Sequence, residues 1–196
     1  MNVDDVQLNG VSALGAWLEE ARARLPQADA MALATATPDG RPSVRIVLVR
    51  HADERGLPFF TNRESRKGEE LRANPRAAGC LHWWELGRQV RVEGHVEELG
   101  EEESGVYWAL RPRASRIAAW ASRQSQPLES RAELLDAFAR AEARFAGADV
   151  PLPPFWGGYR LRPDYVELWT HRDDRLHERV AYTRTADGWT RALLAP

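Results

Sequence analysis

Four short stretches of the chain gather cations and hydroxyls where strands end and helices begin, and groups of that kind bind anions. The first, Arg45-Ile46-Val47-Leu48-Val49-Arg50, sets two guanidiniums five residues apart. On a strand they face opposite sides, so they serve different pockets or merely bracket a buried run. The second is Thr61-Asn62-Arg63-Glu64-Ser65-Arg66-Lys67, with Ser65 at the expected N-cap of a short helix. Two cations in a first helical turn oppose the helix dipole, which favours carboxylates there. Free backbone N–H groups beside Arg66 and Lys67 suit a phosphate instead; a tolerated surface pair is the plainer alternative. Among 27 cationic side chains Lys67 is the only lysine, which singles it out.

The third stretch joins Tyr107 to Arg111-Pro112-Arg113-Ala114-Ser115. Tyr107 and Arg111, four residues apart, share one helical face. Pro112 breaks or restarts the helix, and Ser115 is expected to cap the helical segment beyond it. A phenol, a guanidinium and a hydroxyl converging there would make a second anion site; an ordinary helix junction is the alternative. The fourth runs from Trp169 through Arg175, His177 and Arg179. On a strand these last three alternate onto one face, and like charges side by side are costly unless an anion or an acid sits among them. Asp173, Asp174 and Glu178 would answer them without a ligand. Other chemistries lack their signatures. There is no GxGxxG, Walker loop, HExxH or GxSxG, and the five His, at 51, 82, 95, 171 and 177, lack metal-site pairing, so no metal is expected.

These residues need strands and helix starts to hold them. Val11, Leu14, Trp17, Leu18 and Ala21 mark an amphipathic helix over 11–24. Strands are expected at 30–37 and 44–50 around a Pro38-Asp39-Gly40 turn, then at 57–61, followed by a helix from Ser65 that stops before Asn74-Pro75. Further strands at 77–84 and 88–99 favour a small antiparallel barrel over an α/β layer fold. Helices are expected over 101–122 and 130–146, the second facing solvent. A proline-rich connector, VPLPPFWGGYRL, leads to strands near 157–162, 164–170 and 179–194, the last a hairpin turning at Asp187-Gly188.

Composition sets the outer limits. At 196 residues one domain spanning 1–196 is expected, and 43% hydrophobic with 29% charged residues excludes a disordered chain. A formal net charge of -2 gives no general attraction to nucleic acid. Cys80, the single cysteine, makes neither an intramolecular disulfide nor a multi-thiolate zinc site. The opening MNVDDVQLNG lacks the regions of a signal peptide, and no apolar run reaches the ~18 residues of a membrane span, so a cytoplasmic location without membrane partners is expected. Eight Trp are expected to fill core or subunit interface.

Taken in order, RIVLVR, FFTNRESRKGEEL, RQVRVEGHVEEL, RPRAS with AAWASRQSQ, PLPPFWGGYRL and the ending ELW…RLHER resemble the pyridoxine (pyridoxamine) 5'-phosphate oxidase family over nearly the whole chain from about residue 12. The resemblance implies a mainly β α+β fold, a split β-barrel flanked by helices, acting as a homodimer with FMN between the subunits and a carboxy-terminal dimerisation and substrate-binding segment at about 150–196. It implies oxidation of pyridoxamine or pyridoxine 5'-phosphate by O2 to pyridoxal 5'-phosphate and hydrogen peroxide, with ammonia released from the amine. FMN would be bound by positions Arg45 through Arg50 and by Phe60, Thr61, Arg66, Lys67, Gln89, Gln124, Ser125, Trp169 and Arg179, with Arg66 and Lys67 on its phosphate. Arg50, Tyr107, Arg111 and Ser115 would grip the substrate phosphate, and Arg175 and His177 would lie over the pyridine ring as the catalytic pair.

Three departures from the family pattern are visible. Position 50 is Arg where Lys is usual, which replaces a point charge by a two-pronged donor. Position 60 is Phe where Tyr is common, of little consequence if that contact is through backbone. Only residues 1–10 precede the first expected helix, where longer members fold a segment over the substrate. Phenazine-biosynthesis flavin oxidases share the fold and the RLHER-type ending; Tyr107, Arg111 and Ser115 together favour a phosphate-bearing substrate over theirs. A non-catalytic flavin or pyridoxal-phosphate binder, and a ligand-free barrel with Trp-rich dimer packing, are the readings from other classes.

Overall fold

Alternation of small and large apolar residues makes the first strand, and a computed structural model, which describes residues 9–196, follows it. Residues 1–8, on which the amino-terminal expectations rest, lie outside the described part. In β1 (Ala30–Ala36) Met31 and Leu33 are fully buried while the alternating Ala residues face outward, half-buried. β1 pairs antiparallel with β2 (Pro42–Leu48) across the expected tight turn, where Gly40 takes φ +85°. β3 (Leu57–Asn62), α2 (Arg66–Ala73), β4 (Arg76–Trp83) and β5 (Arg88–Glu98) follow, then α3 (Glu101–Leu110), α4 (Arg113–Ala121) and α5 (Arg131–Arg144). The chain ends with β6 (Trp156–Thr170), β7 (Glu178–Thr185) and β8 (Gly188–Leu193), and α1 (Gly10–Arg22) opens it.

Every ladder is antiparallel. The strand order is β2-β1-β4-β5-β6-β7-β8, with β3 also on β6. The path β2-β1-β4-β5-β6-β3 bends back on itself, and Arg50, two residues beyond β2, donates its N–H to the Pro58 carbonyl in β3 at 3.1 Å. No ladder joins β2 to β3 among the described residues, so the barrel stays open at this seam: a split β-barrel. Leu57, Phe59, Leu81, Val90, Val92, Leu161 and Leu168 fill it, and Leu14, Trp17 and Leu18 of α1 pack against the same core. Each such side chain contributes about 1.5 to 3 kcal/mol by leaving water. A second apolar cluster, with Trp108, Ile117, Phe145, Val150 and Trp156, ties α3, α4 and α5 to the start of β6.

The structure departs from the expected elements at three places. The strands near 157–162 and 164–170 are one continuous β6, although Pro163 has no N–H to give a ladder. The register between β5 and β6 shifts at Glu93/Gly94, opposite the proline, so the missing donor falls at a bulge. Gly94 permits it, since a Cβ there would lie 2.0 Å from the Arg162 carbonyl oxygen. Pro112 breaks the stretch 101–122 into two helices as expected, but it holds the N-cap position of α4 itself, and Ser115 sits inside the first turn rather than capping it. Ser65 does occupy the N-cap position of α2, but its hydroxyl donates to the Asn62 carbonyl at 2.6 Å instead of accepting from the helix. No helix of the described residues is long and apolar enough to cross a membrane.

Candidate active site

The start of α2 carries Lys67 inward. Its side chain is 7% exposed, and the ammonium donates to Gln124 Oε1 at 2.7 Å, Thr61 Oγ1 at 2.9 Å and Ser65 Oγ at 3.1 Å. All three acceptors are neutral, and no carboxylate pairs with it among the described residues. Burial, and secondarily the charge of Arg45, pulls its pKa down to about 8. Beside it Glu70, 5% exposed, accepts from Thr35 and Ser43, from Arg45 Nη2 at 3.2 Å and from Arg66 Nε at 2.8 Å. Burial alone would raise this carboxyl; the hydrogen bonds from Ser43, Thr35, Arg66 and Arg45 override it and hold it at about 2. Two guanidiniums therefore share the Glu70 carboxylate while the Lys67 ammonium beside them has none, at a helix N-terminus where N–H groups of the first turn have no partner within the helix.

Arg45 is engaged inward. Its two Nη atoms meet the Leu33 carbonyl, Thr35 Oγ1, Ser43 Oγ and Glu70. Val47 and Val49 fill the barrel, so within the Arg45–Arg50 run only their backbone could meet a ligand, while Ile46 and Leu48 point to the outside, 63% and 41% exposed. Ser125, exposed, takes φ +73° next to Gln124.

The second predicted cluster also assembles. Phe60, Tyr107 and Trp156 stack, with ring centroids 4.1 Å apart for Phe60–Tyr107 and 5.6 Å for Phe60–Trp156. The Phe60 ring is thus spent on packing within the chain. The Arg50 guanidinium lies over Tyr107 at 4.8 Å and 3.6 Å from Asp29 Oδ2; that of Arg111 lies over Trp156 at 4.8 Å and donates to the Ser115 carbonyl at 3.2 Å. Burial lowers the Arg111 pKa; Tyr107 opposes the shift and nearby Arg50 adds to it, which places these two cations within each other's field.

The third cluster lies elsewhere. Trp169 is cross-strand from Gln89 on one side and Arg179 on the other. The His177 ring is 4.6 Å from Trp169, and its Nδ1 accepts from the Arg172 N–H at 3.1 Å, which puts the neutral ring's proton on Nε2. β7 begins only at Glu178, so Arg175 and His177 stand in the turn before it and not on one strand face as expected. Arg175, at φ +65°, is exposed and without a side-chain partner among the described residues. Arg179 is spent on buried Glu167, at 2.9 Å from Nε and 3.1 Å from Nη2, with Nη1 on the Ala195 carbonyl. The acid that answers it is thus Glu167, not the local Asp173, Asp174 or Glu178.

Phe60 pairs with Gly158, eleven residues before Trp169 on β6. At ~3.3 Å per residue the aromatic stack and the His177 cluster stand about 36 Å apart along that strand. The structure brings Arg45, Thr61, Arg66, Lys67 and Gln124 together, and Arg50, Phe60, Tyr107, Arg111 and Ser115 together. It sets Gln89, Trp169, Arg175, His177 and Arg179 apart from both. Glu70, Trp156 and Glu167 were missed from sequence; of these only Glu70 left a local trace, as the i+4 partner of Arg66.

Known proteins bear on this arrangement. Residues 18–145 match the family model described as pyridoxamine 5'-phosphate oxidase. The chain belongs to that family. Residues 156–196 match the model for its carboxy-terminal dimerisation region. A pyridoxine/pyridoxamine 5'-phosphate oxidase of Rubrobacter xylanophilus is 54% identical over 98% of this chain and 89% of its own, and one from Burkholderia pseudomallei is 52% identical over 100% and 93%. Among solved structures, PhzG from Burkholderia lata, in complex with tetrahydrophenazine-1-carboxylic acid, superposes with a TM-score of 0.93 at 38% identity, covering 98% of this chain and 95% of that one. The oxidase family's split barrel is also found at 21% identity, TM-score 0.76, in a related FMN-binding protein of Nostoc punctiforme over 92% of this chain and 94% of that one.

Proposed function

We propose that this chain binds FMN and oxidises pyridoxamine or pyridoxine 5'-phosphate with O2, yielding pyridoxal 5'-phosphate and hydrogen peroxide; the amine also takes up water and releases ammonia. One observation carries the cofactor assignment: Lys67 is a buried cation with only neutral acceptors, at a helix start flanked by Arg66. Leaving an ammonium buried without an anion is costly, and a phosphate dianion supplies the missing charge. Arg66, Lys67, Thr61, Gln124 and Ser125 would hold that phosphate, the backbone of Arg45–Arg50 the rest of the cofactor. When bound, FMN supplies the hydride acceptor and the reaction with O2.

Arg50, Tyr107, Arg111 and Ser115 would take the substrate phosphate, and the carboxylate-poor surroundings of Arg111 favour an anion there. Gln89, Trp169 and Arg179 would face the cofactor, and Arg175 and His177 the substrate ring, from a second copy of the chain. The 36 Å gap along β6 supports this shared site, as do the match to a dimerisation region and the outward stripe of Val44, Ile46 and Leu48 on β2. The protein's part is orientation: it fixes two anionic tails so that the rings they carry meet at reacting distance.

The likeness to PhzG favours a second reading, a flavin oxidase acting on a reduced phenazine carboxylate. FMN-loaded protein mixed anaerobically with either substrate decides between them. Bleaching of the flavin band by pyridoxamine phosphate at least tenfold faster than by a dihydrophenazine carboxylate is expected; the reverse order overturns the assignment, and no bleaching by either leaves a binding protein.

A further inference from the structure

We infer that Glu70 is a positioning residue for the cofactor phosphate, holding Arg66 and Arg45 behind the Lys67 site; this rests on the FMN reading above. Glu70 is buried in the wall of the barrel, and its two oxygens are divided. Oε2 collects Thr35, Ser43 and Arg45, while Oε1 takes Arg66 Nε. Arg45 has further anchors in the Leu33 carbonyl, Thr35 and Ser43. Arg66, whose side chain is 60% exposed, has none but Glu70 among the described residues. An exposed arginine samples many rotamers, and fixing it costs entropy that the ligand would otherwise have to supply. With Nε held by Glu70, the two Nη groups have no partner among the described residues and keep the coplanar fork that matches a phosphate.

Two effects of opposite sign meet at this carboxylate. As a negative charge near the site it repels a phosphate dianion. As the anchor of Arg66 it preorganises a charge-assisted pair. A charge-assisted bond is worth more than the screened repulsion of a charge already neutralised by two guanidiniums, so positioning dominates. Isosteric Glu70→Gln therefore weakens phosphate binding: the amide cannot accept from every donor now present, and its NH2 opposes either Arg66 or Arg45.

Apoprotein titrated with FMN and with riboflavin, which lacks the phosphate, tests this. E70Q is expected to weaken FMN about tenfold and riboflavin less than twofold. In the Arg66→Gln background the same substitution should add less than twofold, because the anchored group is already gone. Equal losses for both flavins mean a merely structural role and overturn the assignment, as does tighter FMN binding by E70Q, the result expected if its charge were all that mattered. If E70Q does not fold, Arg66→Lys replaces it: a loss of FMN affinity as large as in R66Q supports an anchored fork, and full retention overturns it. A wild-type protein without preference for FMN over riboflavin would sink the FMN reading as well, whereas an intact preference unchanged in E70Q removes only the role of Glu70.

Discussion

Two buried charged clusters sit on this barrel, and they are balanced differently. Around Glu167, whose side chain is 2% exposed, Arg91, Arg179 and Tyr165 close on the carboxylate, Glu93 takes Arg91 as well at 3.0 Å so that two cations meet two acids, and burial's upward push on the Glu167 pKa is overcome chiefly by the Arg179 and Tyr165 hydrogen bonds. Around Lys67, cations outnumber the one available acid, and the ammonium rests on an amide and two hydroxyls. A cluster that satisfies itself serves the fold. Charge left over is what the proposed phosphate would answer, in a chain whose formal net charge is only -2.

Breaking the balanced cluster gives the largest effect. Glu167→Ala leaves Arg179 without an acid and Arg91 with Glu93 alone, and should destabilise the protein by about 3 kcal/mol, the low end for a buried pair because both arginines reach solvent; chemical denaturation measures it. Breaking the unbalanced cluster should do the opposite to stability. Lys67→Met removes a buried ammonium whose pKa is depressed to about 8, a charge that costs stability below pH 8 and ceases to cost as pH rises toward 10.5. The apoprotein melting temperature should therefore rise at pH 7, with most of the gain gone by pH 10. FMN affinity should fall by about 2 kcal/mol, the worth of one charge-assisted hydrogen bond, with riboflavin unaffected. The smallest effect falls on the remote, exposed cluster. Arg175→Ala should slow flavin reduction at saturating substrate about tenfold, or about 1.4 kcal/mol, if its charge stabilises the reacting ring. A change in substrate affinity alone would reduce Arg175 to a binding group.

The barrel was legible because its signals are local: alternation in Ala30–Ala36, the Pro38-Asp39-Gly40 turn, and strands too closely spaced for an α/β layer. Lys67 was legible because two cations in a first helical turn contradict the dipole. The rest was set by pairing at long range. Nothing near Pro163 announces that the β5–β6 register will skip Asp164 beside it and excuse its missing N–H, and nothing near Arg179 announces Glu167, twelve residues earlier and across a ladder. Phe60, Tyr107 and Trp156 are nearly a hundred residues apart end to end, and only the return of β6 beside β3 stacks them.

Because the chain has a single lysine, 15N-labelled lysine gives one side-chain signal, and its pH titration reads Lys67 directly. In the empty protein the midpoint should lie at about 8; FMN should move it above the ordinary lysine value of 10.5, and riboflavin should leave it where it was. An ordinary midpoint in the empty protein, or one that FMN does not move, contradicts the claim that this buried charge waits for a phosphate.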